Sequence, residues 1–284
     1  MIATPINLIP TDNMKRLKSG IIGFDKLLGG GFVPGQAILF AGVPGAGKST
    51  LVFQIANSIA KHGYKVLYAT GEESLGQIKL RAERIKTLEP KILCSDKIKL
   101  EEVIKASNEI KPKVIIVDSL QMISSVSLRQ SPGSPSQMKY GLSSLIEHVK
   151  ETNRILIAIG HSTKAGLIAG MLGIQHMVDA SFYMLIKEDS SREIFSKKNR
   201  FGESQISWVV SMTASGIKDP AIKEVEIETK TIKIKSKQIK KALENTGYIN
   251  RNIIKSDFEW LLKNITGKKK KIASYDIIYQ LEEK

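Results

Sequence analysis

Short apolar runs alternate along this chain with longer stretches in which apolar positions recur every three or four residues. The short runs at 37–41, 64–69, 114–117 and 155–159 read as strands. Leu51, Val52, Ile55, Ala56, Ile59 and Ala60 fall on one helical face, and Gly63 ends the stretch. Residues 77–88 and 100–110 read as further helices, the second closed by Lys111 and Pro112, and another helix runs up to Glu151. A short helix in 19–35 ends in the glycine cluster 29–31. The run 114–117 has no polar face, as a strand covered on both sides requires. Strands alternating with helices predict an α/β fold, a doubly wound, mostly parallel sheet whose ligands sit at the strand C-termini.

Three regions depart from this rhythm. Residues 1–18 mix apolar and turn residues without a period and read as an N-terminal arm before a core at 19–220. Residues 124–137 are rich in Ser and Pro and read as a loop too polar to pack. Residues 221–284 form a basic extension, with 15 Lys/Arg against 9 Asp/Glu and the run Lys268 to Lys271. Within it, 224–228 and 231–235 pair as a hairpin with Glu226 facing Lys233, or else form one helix with Ile222, Val225, Ile232, Ile239 and Leu243 on a side. Short helices are expected beyond.

Composition narrows the setting. A single cysteine, Cys94, excludes a disulfide framework and a cysteine-based zinc site and fits a reducing cytoplasm. No apolar run reaches the ~20 residues of a membrane span, and the N-terminus lacks a signal-peptide pattern. The net charge of +15 points to a polyanionic partner, nucleic acid first, or else to a lysine-rich composition without functional meaning.

The strongest chemical signal follows the first strand. Gly42, Val43, Pro44, Gly45, Ala46, Gly47, Lys48, Ser49 and Thr50 form a complete Walker A loop between a strand and a helix. Its glycines let backbone N–H groups converge on phosphates at a helix N-terminus. Lys48 reaches the β- and γ-phosphates of ATP, and the Ser49 hydroxyl completes the shell of a Mg²⁺ ion. Asp118 ends an apolar strand downstream, the Walker B position from which a carboxylate holds the same metal directly or through a water. Hydrolysis needs a carboxylate to orient water, and Glu72, just past the second strand, is the candidate, with Glu73 the alternative. His161, at a strand tip, is placed to sense the γ-phosphate.

Several segments together resemble the bacterial RadA (Sms) family of RecA-type ATPases: 29–35, the Walker A loop, Glu72-Glu73-Ser74 after Gly71, and 118–121. Further matches lie at 131–137, 160–166, 168–170 and 176–179, and the most diagnostic is Lys198-Asn-Arg-Phe-Gly202. They span about residues 19–216. The resemblance implies a RecA-like core and a homo-oligomeric ring, a hexamer, in which Lys198 and Arg200 reach the neighbouring subunit's nucleotide. It also implies single-stranded DNA in a central channel, with Arg129, Lys139 and Lys164 as the cations for its phosphates. The family's four-cysteine zinc module and Lon-like domain have no counterpart in this sequence, which reads as a reduced form of the motor. The expected function is therefore a Mg²⁺-ATP-dependent, DNA-stimulated motor in recombination, repair or replication. A KaiC-like regulatory ATPase and an ATP-switched helicase loader are the rival readings.

Overall fold

A computed structural model describes residues 3–11, 14–161 and 174–219. The chain divides into compact units Met1–Lys223 and Glu224–Lys284, and the first contains every residue described below. The expected hairpin, helices and lysine run of 221–284 lie outside the described residues.

The first unit is built on one nine-stranded sheet. In chain order its strands are β1 (Ala37–Gly42), β2 (Val66–Thr70), β3 (Ile92–Ser95), β4 (Val114–Asp118) and β5 (Ile155–His161). They continue as β6 (Ala180–Ile186), β7 (Arg192–Asn199), β8 (Ser207–Thr213) and β9 (Gly216–Lys218). Across the sheet the order is β3-β2-β4-β5-β1-β6-β7-β8-β9, with the first six parallel and the rest antiparallel. Among the described residues five α-helices complete it: α1 (Ile22–Leu27), α2 (Lys48–Lys61), α3 (Leu75–Arg84), α4 (Leu100–Ile110) and α5 (Pro135–Thr152). The expected α/β class and mostly parallel sheet are thus what the chain adopts.

Strand alternation divides the core. Successive side chains of a strand point to opposite faces. Ile38 and Phe40 of β1 join Phe24 of α1, Ile55 of α2 and Ile78 of α3 in one apolar layer. Ala37, Leu39 and Ala41 join Val103 of α4 and Leu142, Leu145 and Val149 of α5 in the other. Because both faces are covered, β1 and β4 carry no polar alternation, which explains their unbroken apolar sequence.

Two expectations are corrected. The helix expected at 77–88 runs from Leu75 to Arg84, started by a capping box in which the Ser74 and Gln77 side chains each bond the other's backbone N–H. It stops early because the chain turns left-handed at Lys86, φ 54°. The half-exposed edge strand β3 and the antiparallel strands β6 to β9 have no counterpart among the expected elements. The arm is anchored at its end, since Leu17 exchanges two backbone bonds of 2.8 Å with Phe32, while Ile6, Leu8 and Ile9 are exposed.

The loop 124–137 is mostly exposed, as its polarity predicts, but it is shorter than expected and its backbone is tied down by one buried amide. Helix α5 already begins at Pro135, capped by the Ser134 side chain. Gln137, buried in its first turn, accepts from the Ser125 N–H at 2.8 Å and donates to the carbonyls of Ser125, Leu128 and Gln130. One amide satisfies the backbone that a polar loop would otherwise leave unpaired. Gln137→Ala is expected to lower stability by about 2 kcal/mol, from the buried groups it strands. Limited trypsin digestion should then cleave after Arg129 faster than in the unaltered protein, as read by mass spectrometry.

Candidate functional site

The register of the parallel strands brings the charged residues together. Gly42 at the end of β1 lies beside His161 of β5, and Asp118 at the end of β4 lies beside Thr70 of β2. All four strands therefore end at one edge of the sheet, and Glu72 follows two residues beyond β2.

At this edge the Walker A loop wraps into α2. Gly47 is the N-cap in the left-handed region, φ 105°, and offers no side-chain cap, so the helix N-terminus faces outward with its N–H groups. A Cβ at Gly42 would stand 2.4 Å from the Met184 carbonyl oxygen, so the close approach of β1 and β6 admits only glycine there. Arg192 braces the loop by donating from Nε to the Ala46 carbonyl at 3.0 Å.

Lys48 is buried, and its Nζ donates to the carbonyls of Gly42 and Val43 at 2.9 and 3.0 Å. Burial pushes its pKa down, opposed by the charges of Asp118 and Glu72. His161 links lysine to carboxylate: its Nδ1 is 3.4 Å from Lys48 Nζ and its Nε2 is 2.7 Å from Glu72 Oε1. An ammonium can only donate, so Nδ1 accepts and Nε2 carries the proton toward Glu72. The Ser119 hydroxyl donates to the same Glu72 oxygen. These bonds, His161 first, hold the Glu72 carboxyl below its ordinary pKa against the cost of burial.

Glu73 faces elsewhere. Its Oε2 pairs with Arg81 Nη2 at 2.6 Å, and burial raises its pKa despite that cation. Arg81 donates to the Tyr68 hydroxyl at 3.2 Å, and that hydroxyl donates to Asp118 Oδ2. Asp118 Oδ1 is buried and has no hydrogen-bond partner. A buried anionic oxygen left without a donor is what a divalent cation would satisfy. With Ser49 in the first turn of α2, the residues present fit ATP and Mg²⁺.

Lys198 and Arg200 do not join this site. The β6–β7 register sets Asn199 opposite Ala180, at the far end of the sheet. Lys198 Nζ donates to the carbonyls of His176 and Val178 at 3.0 and 2.6 Å, and Arg200 pairs with Asp179 at 3.3 Å. Asp179 in turn accepts the Ala37 N–H at 2.9 Å, so these cations stand at the start of β1, roughly 17 Å from its Walker A end at the usual rise per residue. An open cleft of about 610 Å³ is lined in part by Lys18, Lys26, Gly29 and Gly202, without Lys198 or Arg200. Arg129 and Lys139 are exposed, and Lys164 lies outside the described residues. Among the described residues no helix is long and apolar enough to cross a membrane.

Tyr68, Arg81 and Ser119 are the residues that sequence reasoning passed over. Ser119 stood inside a recognised motif without a role. Tyr68 is hidden in an apolar strand, fifty residues from the aspartate it bonds.

Fold and site define a P-loop ATPase with a RecA-like core. A family model described as "ATPase: KaiC" matches residues 17–105. Within that class the chain is similar to the ATPase core of RadA proteins. It is 37% identical over 214 residues to the DNA repair protein RadA of Chlamydia muridarum, covering 75% of this chain and 47% of that protein. It is 38% identical over 205 residues to RadA of Haemophilus influenzae, covering 72% and 44%. It is 36% identical over 212 residues to RadA of Escherichia coli, covering 74% and 46%. The chain thus spans just under half the length of these curated relatives. Among solved structures, a KaiC-like protein of Pyrococcus horikoshii shares the fold with a TM-score of 0.59 at 21% identity, over 72% of this chain and 98% of that one.

The lowered pKa of Glu72 has a consequence for stability. A carboxyl whose folded pKa is depressed stabilises the fold above its unfolded value and loses that contribution as pH falls through the folded value. Urea midpoints of the unaltered protein and Glu72→Gln should therefore differ more at pH 7 than at pH 4 in the direction favouring the unaltered protein. A pH-independent difference would contradict the assignment.

Proposed function

We propose that this chain is a Mg²⁺-ATP-dependent, DNA-stimulated ATPase of the RadA type that works as a ring on single-stranded DNA in repair, recombination or replication. The chain Lys48–His161–Glu72 beside the unpartnered oxygen of Asp118 carries the reading. Glu72 takes a proton from water as the water oxygen bonds the γ-phosphorus and the bond to the β–γ bridging oxygen breaks, releasing ADP and phosphate. Lys48 and the α2 N-terminus balance the charge on the phosphates. Mg²⁺, held by Asp118 and Ser49, supplies further charge neutralisation when bound. His161 keeps Glu72 ionised and aligned, and its contact with Lys48 lets the γ-phosphate state reach the segment after β5.

Glu72 is favoured over Glu73 as the base because Glu73 is taken by Arg81. Lys198 and Arg200 belong to a neighbour's site: tied at the opposite edge, they are out of reach of their own nucleotide. Arg129 and Lys139, exposed on and beside one loop, supply cations for DNA phosphates, with Lys164 as the third. The expected hexamer, absence of zinc and cytoplasmic setting belong to the same proposal. The KaiC-type match over 17–105 supports a second reading, a regulatory ATPase with slow turnover.

Turnover with and without single-stranded DNA separates the two readings. A motor is stimulated several-fold, and a regulator is not. Lys48→Ala should abolish nucleotide binding or hydrolysis, whereas Glu72→Gln should bind ATP and turn over at least about a hundredfold more slowly. Arg200→Ala should also lose turnover while still binding ATP. Mixing it with Lys48→Ala should restore part of the activity, because a mixed ring pairs an intact Walker A loop with an intact Arg200. Failure to rescue in confirmed mixed assemblies would place Arg200 outside the site.

A further inference from the structure

The second glutamate of the tandem pair belongs to a buried chain that the hydrolytic reading does not use. Tyr68 of β2 is wholly buried, and its ring packs edge-on against Phe53 at 5.0 Å. The Arg81 guanidinium lies over both rings, 5.3 Å from the Phe53 centroid and 5.8 Å from that of Tyr68. Arg81 donates to the Tyr68 hydroxyl and is itself fixed by Glu73.

The direction of the proton follows from donor chemistry. A guanidinium has no acceptor, so the Tyr68 oxygen must accept from it. The single phenolic proton is then left to point at Asp118, where the hydroxyl meets Oδ2. With Oδ2 engaged, Oδ1 is the carboxylate oxygen presented to a ligand, and it is the one without a partner. The edge-on packing against Phe53, the guanidinium over the ring and the 2.6 Å ion pair hold the phenol in place.

We infer that Tyr68, locked by Arg81 and Glu73, is a positioning residue that orients the Asp118 carboxylate so that one defined oxygen meets the divalent cation. The inference rests on the proposed role of Asp118 as metal ligand. It divides the tandem glutamates: Glu72 serves water, and Glu73 serves the metal through Arg81 and Tyr68. Partners of metal-ligating carboxylates typically change metal affinity by about 10- to 100-fold when removed.

The test uses the full chain and a fluorescent N-methylanthraniloyl ATP, titrated with Mg²⁺ and with Mn²⁺. Tyr68→Phe keeps the ring and its packing and removes only the hydroxyl. It should bind metal-free nucleotide as the unaltered protein does, while the metal concentration at half-effect rises about 10- to 100-fold. Glu73→Gln should shift the same midpoint by a smaller factor, and excess metal should restore its single-turnover rate, which excess metal will not do for Glu72→Gln. An unchanged midpoint in folded Tyr68→Phe overturns the inference. If Tyr68→Phe does not fold, as judged by circular dichroism, Arg81→Met is read by the same criterion. Asp118→Ala tells the two failures apart: if it leaves the metal dependence unchanged, the metal-ligand reading of Asp118 fails. If Asp118→Ala moves the midpoint and Tyr68→Phe does not, only the positioning role fails.

Discussion

Parallel hydrogen-bonded register is the constraint from which the rest of the site descends. Because β1, β2, β4 and β5 run in the same direction and end within two residues of one another, residues far apart in sequence are delivered to one edge. Gly42, Glu72, Asp118 and His161 are not neighbours in the chain, and no local preference would assemble them. Their meeting follows from apolar strands buried on both faces, where a slip of one residue would turn each side chain to the other layer. The stability of the two core layers and the accuracy of the site are thus one property.

Electrostatics then sorts the groups at that edge. A buried ammonium is costly unless opposed, and Lys48 is opposed by Asp118 and Glu72. Two carboxylates so close to one cation would repel, and the structure separates them by giving each its own hydrogen-bond donors. Glu72 is served by His161 and Ser119, and Asp118 by Tyr68. A site arranged in this way is preorganised: its dipoles and charges are already aimed before phosphate arrives, which is where most electrostatic catalysis originates.

The sequence made some of this legible and hid the rest for physical reasons. Strands β1, β4 and β5 were readable because an apolar run buried on both faces has a composition of its own. Helix α4 was readable to the residue because its periodicity ends at Lys111-Pro112. The start of α3 was also written in the chain, as a serine three residues before a glutamine, yet its periodicity alone places it two residues late. Strand β3 is four residues long and half-exposed, too brief to show a period. Composition marked the polar loop but not the buried Gln137 amide that ties the backbone of Ser125, Leu128 and Gln130 to the start of α5. The Walker residues were visible because backbone geometry demands glycine at fixed spacing. Tyr68 and Arg81 were invisible because their roles exist only across strands.

Polarity of the sheet bears on assembly. The Walker A loop sits at the C-terminal end of β1, and near the N-terminal end Arg200 pairs with Asp179 while Lys198 donates to the His176 and Val178 carbonyls. A subunit that offers a receptor at one edge and basic groups at the other is asymmetric, so copies joining through those edges associate head to tail. Head-to-tail contacts close into a ring when the rotation per subunit divides a full turn and otherwise extend as a filament. In either assembly each site would be completed by the next copy, and hydrolysis would report on the contact between subunits. The ion pair with Asp179 gives that coupling a physical form. If Arg200 acts in a neighbour's site as proposed, it would have to leave or stretch a bond at the root of its own β1, and engagement in one site would be felt at the base of the strand that carries the next Walker A loop.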